Sequence, residues 1–358
     1  MSYYLITLIS ILFCSPVWAQ QIDTWYACYN QDSTLIGYSD AVGKVMIEPK
    51  FGAYTTANRF DAIIAVAEMG HTPLSTYYLT KSGRVIGRDS LYLFDNGPDC
   101  ESEGFIRFRD PVTGLTGLFD RHGNIVIPAE YSDLKRVHNG MIVALKGAKK
   151  NRNGEITTWT GGQELLLDTA NNILIENFSY NPQLNFFSLQ KSTTPPLDST
   201  RASFKGTDGS YYSFVDFKKE FDHWLRTTLL PDLTKEKLNQ LTYPQVTWQA
   251  AEDWVTSDRS TFIEANFELV KSRLEKITQG EFQGFISSDG LNPFMFNTPD
   301  FDDYYNNCGE SKDWQYPTMS LIINQDSAAG ITQDHLEFLR TAQGYRLLCV
   351  TIRSAQLK

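Results

Sequence analysis

The chain has 358 residues, and 32 Lys and Arg face 42 Asp and Glu, for a net charge of -10. That balance excludes a polybasic membrane patch and a surface that replaces counterions along a nucleic-acid backbone, so no nucleic-acid partner is expected. A hydrophobic fraction of 42% and an aromatic fraction of 13% exclude global disorder, and 22 Phe with 18 Tyr favour strands, because aromatic rings fit pleated surfaces.

Residues 1–19 contain no charged side chain, and an apolar run from Leu5 to Phe13 precedes a turn at Ser15-Pro16. Val17-Trp18-Ala19 places small residues where a signal peptidase reads, which predicts a signal peptide over 1–19 cleaved after Ala19 and export to the periplasm or the outside of the cell. The run is too short to span a bilayer, and no later stretch is long and apolar enough to do so. Cys14 does not point to lipid attachment, because the bulky Phe13 precedes it. Beyond the signal stand Cys28, Cys100, Cys308 and Cys349, whose export permits disulfides. Their three possible pairings are not separable by sequence, although their distribution favours Cys28–Cys100 and Cys308–Cys349, one within each half. The alternative is that some stay buried thiols. No Cys/His spacing suggests zinc, and neither metal nor cofactor is expected.

A repeat organises the first half. Ile36-Gly37-Tyr38-Ser39-Asp40-Ala41-Val42-Gly43-Lys44-Val45-Met46-Ile47 recurs as Thr116-Gly117-Leu118-Phe119-Asp120-Arg121-His122-Gly123-Asn124-Ile125-Val126-Ile127, 80 residues later. A degenerate copy around Gly83 lies midway, and a fourth spans Leu165–Ile175, displaced by an insert over 146–161. Each unit reads as a β-hairpin: Asp accepts backbone hydrogen bonds in the turn, Gly supplies positive φ, and Pro49 or Pro128 stops the ladder. A lone hairpin cannot bury its face, so the units must stack or pair.

These residues resemble the WG-repeat family, in which a Trp-Gly opens the unit and a Val-Ile-Pro-x-x-Tyr/Phe tail closes it. Gly37-Tyr38-Ser39-Asp40, Pro49-Lys50-Phe51, Gly117-Leu118-Phe119-Asp120, Ile127-Pro128 and Tyr131 match, whereas Ile36 and Thr116 stand where the family has Trp. The resemblance covers about residues 25–190. It implies a bacterial, often envelope-located β-repeat protein, and it carries over no active-site residue.

The pattern changes after about residue 200. Phe217, Phe221, Trp224, Leu225 and Leu229 share one face of a helix predicted over 216–230, which Pro231 ends. Thr234 caps a short second helix to about Leu241, and a third is predicted over 258–278. Strands follow over 282–287 and 318–324, then a terminal hairpin over 335–341 and 345–353. Helices followed by strands predict an α+β domain, with helices packed on a curved antiparallel sheet. Gly344–Ile352, the long helix and Tyr243-Pro244 resemble cystatin-like and nuclear-transport-factor-like domains, which implies a conical pocket. The resulting fold class is two domains. Residues 20–200 form an all-β repeat of hairpins, as an open stack or a propeller-like ring, and residues 205–358 form the α+β domain.

Chemistry is sparse. His71, His122, His138, His223 and His335 fall in no metal-binding spacing, and no nucleophile elbow, phosphate loop or dinucleotide motif occurs. Asp300, Asp302 and Asp303 read as a solvated acidic loop, lacking the register of a calcium loop. Tyr304, Tyr305, Trp314 and Tyr316, with His223, are the candidate ligand surface. Lys146, Lys149, Lys150 and Arg152 read as an exposed loop. The expected role is an exported binding or scaffold protein for an envelope protein or glycan, and no catalytic residue is assigned. The alternatives are a hydrolase with its pocket in the C-terminal domain, using His223 or His335, and a structural protein docking through repeat edges.

Overall fold

The computed structural model describes residues 23–70, 74–94, 97–153, 156–251, 253–277, 283–327 and 330–358, so the expected signal segment and His71 lie outside the described residues. The chain is predominantly β, in several mostly antiparallel sheets, with no closed barrel among the described residues. Each repeat holds one strand more than the sequence pattern indicates. Trp25–Tyr29, Ile36–Ser39 and Val45–Phe51 form the first three-stranded meander, and Ile63–Glu68, Ser75–Thr80 and Val85–Ile86 the second. The third is Ile106–Arg109, Thr116–Phe119 and Ile125–Tyr131, and the fourth Met141–Lys146, Gln163–Asp168 and Ile173–Glu176. The insert adds a hairpin, Lys149–Asn153 with Ile156–Thr160.

The same turn closes every unit. The Asp120 amide donates to the Asn124 carbonyl and the Gly123 amide to the Asp120 carbonyl, both at 2.9 Å. The Asp120 carboxylate accepts from the amides of His122 at 2.9 Å and Asn124 at 2.8 Å. Asp40 and Asp168 bind their turns likewise, and at Thr80 a hydroxyl takes the place of the carboxylate. The third turn position has positive φ throughout: Gly43 86°, Gly83 85°, Gly123 77° and Asn171 67°. Asn tolerates that region because its short side chain bonds locally. A fifth turn of this pattern, Gly206 to Ser210, joins Arg201–Lys205 to Tyr211–Asp216. It is not evident from the repeat motif, because Gly206 replaces the Asp. Its sheet also differs in order: Leu184–Ser192 pairs with the strand after the turn rather than the one before it.

Alternation along the strands decides the stacking. Ile64 and Val66 share a buried cluster with Tyr38 and Phe51 of the first unit, while Ile63 and Ala65, on the opposite face, join Ile106, Phe108 and Phe119 of the third. Leu118, Ile127 and Tyr131 then pack with Ile142, Ala144, Leu165 and Leu167, and Met141, Val143 and Leu166 pack with Phe186 and Phe214 of the fifth sheet. The second, third and fourth units therefore lie between their sequence neighbours, and the first two meanders are also joined into one seven-stranded sheet by the pairing of Phe51 with Glu68. Among the described residues no core cluster joins the first meander to the fifth unit, and the first leaves Tyr26, Val45 and Met46 exposed.

Sheet structure continues to Asp216, past the change of pattern expected near residue 200. Asp216 ends the strand and caps α1, Phe217–Trp224, accepting from the amides of Lys218 and Lys219. The helix expected to reach Leu230 changes to a π turn at Leu225, where the Leu230 amide reaches the Leu225 carbonyl. Then come α2, Lys235–Gln240, and α3, Arg259–Glu275. Between them lie two strands that the sequence pattern does not announce, Thr242–Ala250 and Asp253–Asp258. Pro244 argues against a strand, but it sits where the pairing with Gly344–Thr351 is interrupted between Thr242 and Thr247, so no ladder bond is lost. That pairing is parallel, which corrects the expectation of an all-antiparallel sheet. Six strands result: Asp253–Asp258, Thr242–Ala250, Gly344–Thr351, Gly330–Thr341, Thr318–Ser327 and Gly284–Asp289, in that spatial order. Phe221, Leu238, Phe262 and Val270 of the three helices share one buried cluster with Leu321, Phe338 and Leu347 of this sheet.

Two substitutions test the repeat. A Cβ on Gly117 would fall 2.5 Å from the Phe108 ring and 2.7 Å from the Ile127 carbonyl oxygen, so Gly117→Ala should destabilise the protein by about 1–3 kcal/mol. Asp120→Ala, which removes only the turn acceptor, should cost about 1 kcal/mol. Urea denaturation checks both, and the order of the two losses is the critical outcome.

Candidate functional site

The segment over residues 290–317 links two strands of the six-stranded sheet and makes contacts on two sides. On one side Leu291, Phe296, Phe301 and Tyr305 pack with Leu339, Leu348 and Cys349 of that sheet. On the other it is fastened to the repeats. Cys308 forms a disulfide with Cys100, Cα to Cα 6.1 Å. The Asn307 carbonyl accepts from the amides of Asn58 at 2.7 Å and Arg59 at 3.0 Å, and Arg59 Nη2 donates to the Tyr305 carbonyl at 2.8 Å. This corrects the favoured pairing of one disulfide in each half. Cys28 and Cys349 are free thiols, half-buried and buried respectively, and burial pushes both up. Proximity along the chain misleads here, because the fold folds residue 308 back onto residue 100.

A buried ion network lies beside the disulfide. Asp99 and Arg107 are almost wholly buried, joined by Arg107 Nε to Asp99 Oδ2 at 2.9 Å, and Arg107 Nη1 donates to the Leu134 carbonyl at 2.8 Å. Arg136 Nε donates to Asp99 Oδ1 at 3.1 Å, and its other nitrogens grip the Glu310 carboxylate, with Nη2 to Oε1 at 3.1 Å. Burial would raise the Asp99 carboxyl, but Arg107 and Arg136 hold it below the usual carboxylate range. The network thus runs from the core of the third repeat to the crossing segment.

Between the segment and the repeats lies a cleft of about 490 Å³, lined by Arg59, Asp61, Glu101, Arg121, Lys312 and Trp314 among others. Glu101 follows the disulfide cysteine and accepts from the amides of Gly104 at 2.9 Å and Ala62 at 3.2 Å. Burial, with Asp61 nearby, nonetheless pushes its carboxyl up to about 7. Burial also lowers Lys312, and the adjacent Arg59 adds to that shift. Trp314 stacks on His138, ring centroids 4.6 Å apart and planes at 19°. Burial, then Arg136 and Arg107, push that imidazole down to about 3, so it is neutral at physiological pH.

Of the residues singled out from sequence, Trp314 lines the cleft. Tyr305 is buried, donating to the Phe296 carbonyl at 2.8 Å, and Tyr304 meets Tyr316 edge-on at 5.3 Å. His223 is exposed on α1, and His335 lies within the strand Gly330–Thr341; neither lines the cleft. Asp300, Asp302 and Asp303 fall in a 3-10 turn, Pro299–Tyr304. Arg59, Asp61, Glu101 and Lys312 carry no sequence motif, and Arg121 stands in a repeat turn that marks a hairpin rather than a site. The one clue was that Glu101 and Asn307 adjoin cysteines.

Residues 117–149 match the WG containing repeat family. The WG repeat thus begins at Gly117, the glycine pressed against Phe108, and extends into the fourth meander. No curated protein and no solved structure matches the chain.

Two outcomes are expected. Reducing Cys100–Cys308, or replacing both cysteines by Ser, should lower stability by about 2–5 kcal/mol, since the bridge closes a loop with a sequence separation of 208. Denaturation with and without reductant measures it, and no difference would show that the bridge leaves the unfolded chain unconstrained. Glu101 ionises near 4.5 in the unfolded chain and near 7 in the fold. The folded state therefore holds the extra proton between those values, and stability should fall as pH rises through that window, by on the order of 3 kcal/mol. Glu101→Gln should remove that slope, and an equal slope in the variant would refute the assignment.

Proposed function

We propose that the protein is an exported binding protein of the cell envelope whose ligand sits in the cleft between the repeat stack and the crossing segment. The single observation that carries this reading is the cleft itself: a concave site bordered by a disulfide, a buried ion network and a stacked Trp–His pair. Such fixed walls hold side chains ready for a ligand, which reduces the ordering cost of binding. Export is supported by the signal-like residues 1–19 and by a disulfide, a bond that persists in oxidising compartments. The WG repeat supports a repeat-built, binding role. In this reading the chain divides into a repeat domain and a C-terminal α+β domain of the cystatin-like or nuclear-transport-factor-like kind. Its ligand is a component of the envelope, a glycan or part of a protein.

The experiment uses the chain from Gln20 onward, oxidised and immobilised, with an envelope extract passed over it. Retained small molecules and glycans are identified by mass spectrometry. Phe187→Ala serves as the comparison, because Phe187 lines the cleft and is 40% exposed, so its removal spares the core. A set of compounds held by the wild type and released by the variant is the expected result. Identical retention by both proteins would sink the reading.

A further inference from the structure

We infer that the ligand of this cleft carries a carboxylate or phosphate group, held by Arg121, Arg59 and Lys312; the inference rests on the proposal that the cleft is the binding site. The argument is a census of donors and acceptors. Three carboxylates line the cleft, and all six of their oxygens are occupied by the protein. Asp61 accepts from Thr24 Oγ1 at 2.6 Å and from Asn307 Nδ2 at 2.9 Å. Glu101 accepts from the amides of Ala62 and Gly104, and Glu103 from those of Asn139 at 2.5 Å and Gly140 at 2.8 Å. These acids are committed to holding the chain in place.

The cations are not. Arg136 is engaged by Asp99 and Glu310, but the other three have donors in surplus. Arg59 uses one side-chain N–H on the Tyr305 carbonyl, and Lys312 uses one on the Asp303 carbonyl. Arg121 makes no hydrogen bond or ion pair among the described residues; its guanidinium lies against Gly104, where an added Cβ would fall 2.6 Å from Nη2. A guanidinium presents five donors and an ammonium three. Four cations thus face three carboxylates whose oxygens each already accept a hydrogen bond from the protein, in a chain whose net charge is -10. An anion accepts from this set in charge-assisted, bidentate geometry, whereas a cation would have to share carboxylate oxygens that already accept hydrogen bonds from the protein. Trp314 and the exposed Phe187 add flat apolar walls, which suit a ring or sugar body behind the charged group.

The test is calorimetric titration of the oxidised chain from Gln20 with glucose, glucuronate, glucose 6-phosphate, acetate and inorganic phosphate. The three sugars share a body and differ in charge, and the last two supply the charged group without one. Anionic probes should bind and glucose should not, and binding should weaken with added salt. Arg121→Gln should weaken the anions roughly tenfold to hundredfold, the change for one charge-assisted hydrogen bond. Since Arg121 has no hydrogen-bond or ion-pair partner among the described residues, this variant should melt with the wild type; Arg226→Gln, on the exposed end of the helical region, should bind as the wild type does. Preference for glucuronate over glucose 6-phosphate, or the reverse, identifies the anion. Binding of glucose equal to that of the anions overturns the inference, as does an unchanged affinity in Arg121→Gln or the failure of every anion to bind. Compounds that the extract experiment finds released by Phe187→Ala but that prove neutral would remove this inference while the binding reading stands. Identical retention there removes the reading itself.

Discussion

A strand with apolar side chains on both faces cannot lie on a surface, and Ile63-Ile64-Ala65-Val66-Ala67 is buried along its whole length. Such a sheet needs a neighbour above and one below. Successive repeats meet that need by stacking, so that odd positions face one neighbour and even positions the other. Within a meander, Gly37 and Gly117 leave room for the bulged partner strand, where a Cβ would meet the carbonyl of Ile47 or Ile127. The first meander, with a neighbouring unit on one side only, leaves Tyr26 and Met46 in solvent.

The crossing segment of residues 290–317 solves a different problem. It has little regular structure, so its backbone groups must find partners outside a ladder. Some lie in the repeats, where Asn307 receives two amides. Its aromatic residues instead bury themselves against the six-stranded sheet. The Asp99–Arg107–Arg136–Glu310 chain adds direction rather than much net stability, because desolvating these ions offsets most of their attraction. What it contributes is a fixed placement for Glu310 and its neighbours. The disulfide acts mainly on the unfolded chain, so the two devices are complementary.

The cleft is a product of that placement. Its carboxylates hold backbone amides, a hydroxyl and a side-chain amide, the imidazole stacked on Trp314 is neutral, and its surplus is in cationic donors. A site with these properties sorts ligands by charge before shape. The same low-dielectric surroundings that raise Glu101 would strengthen any pairing made there.

Local chemistry was legible in the sequence. The turns at Asp40, Asp120 and Asp168 and the cap at Thr234 each depend on a few adjacent residues, and they stand where those residues placed them. The fifth turn escaped notice because Gly206 lacks the marker side chain, and the strand at Thr242 because Pro244 ordinarily forbids one. The partner of Cys100, the parallel pairing of Thr242–Ala250 and the members of the cleft were decided by tertiary structure alone. Arg59, Glu101, Arg121 and Lys312 come from four separate segments, and although Arg121 sits in a repeat turn, nothing in that pattern marks it for the cleft. The physical reason is range: turn and cap bonds close within about five residues, so the chain encodes them locally. Which distant surfaces meet depends on the burial of whole faces, and that is settled only when the stack and the crossing segment assemble together.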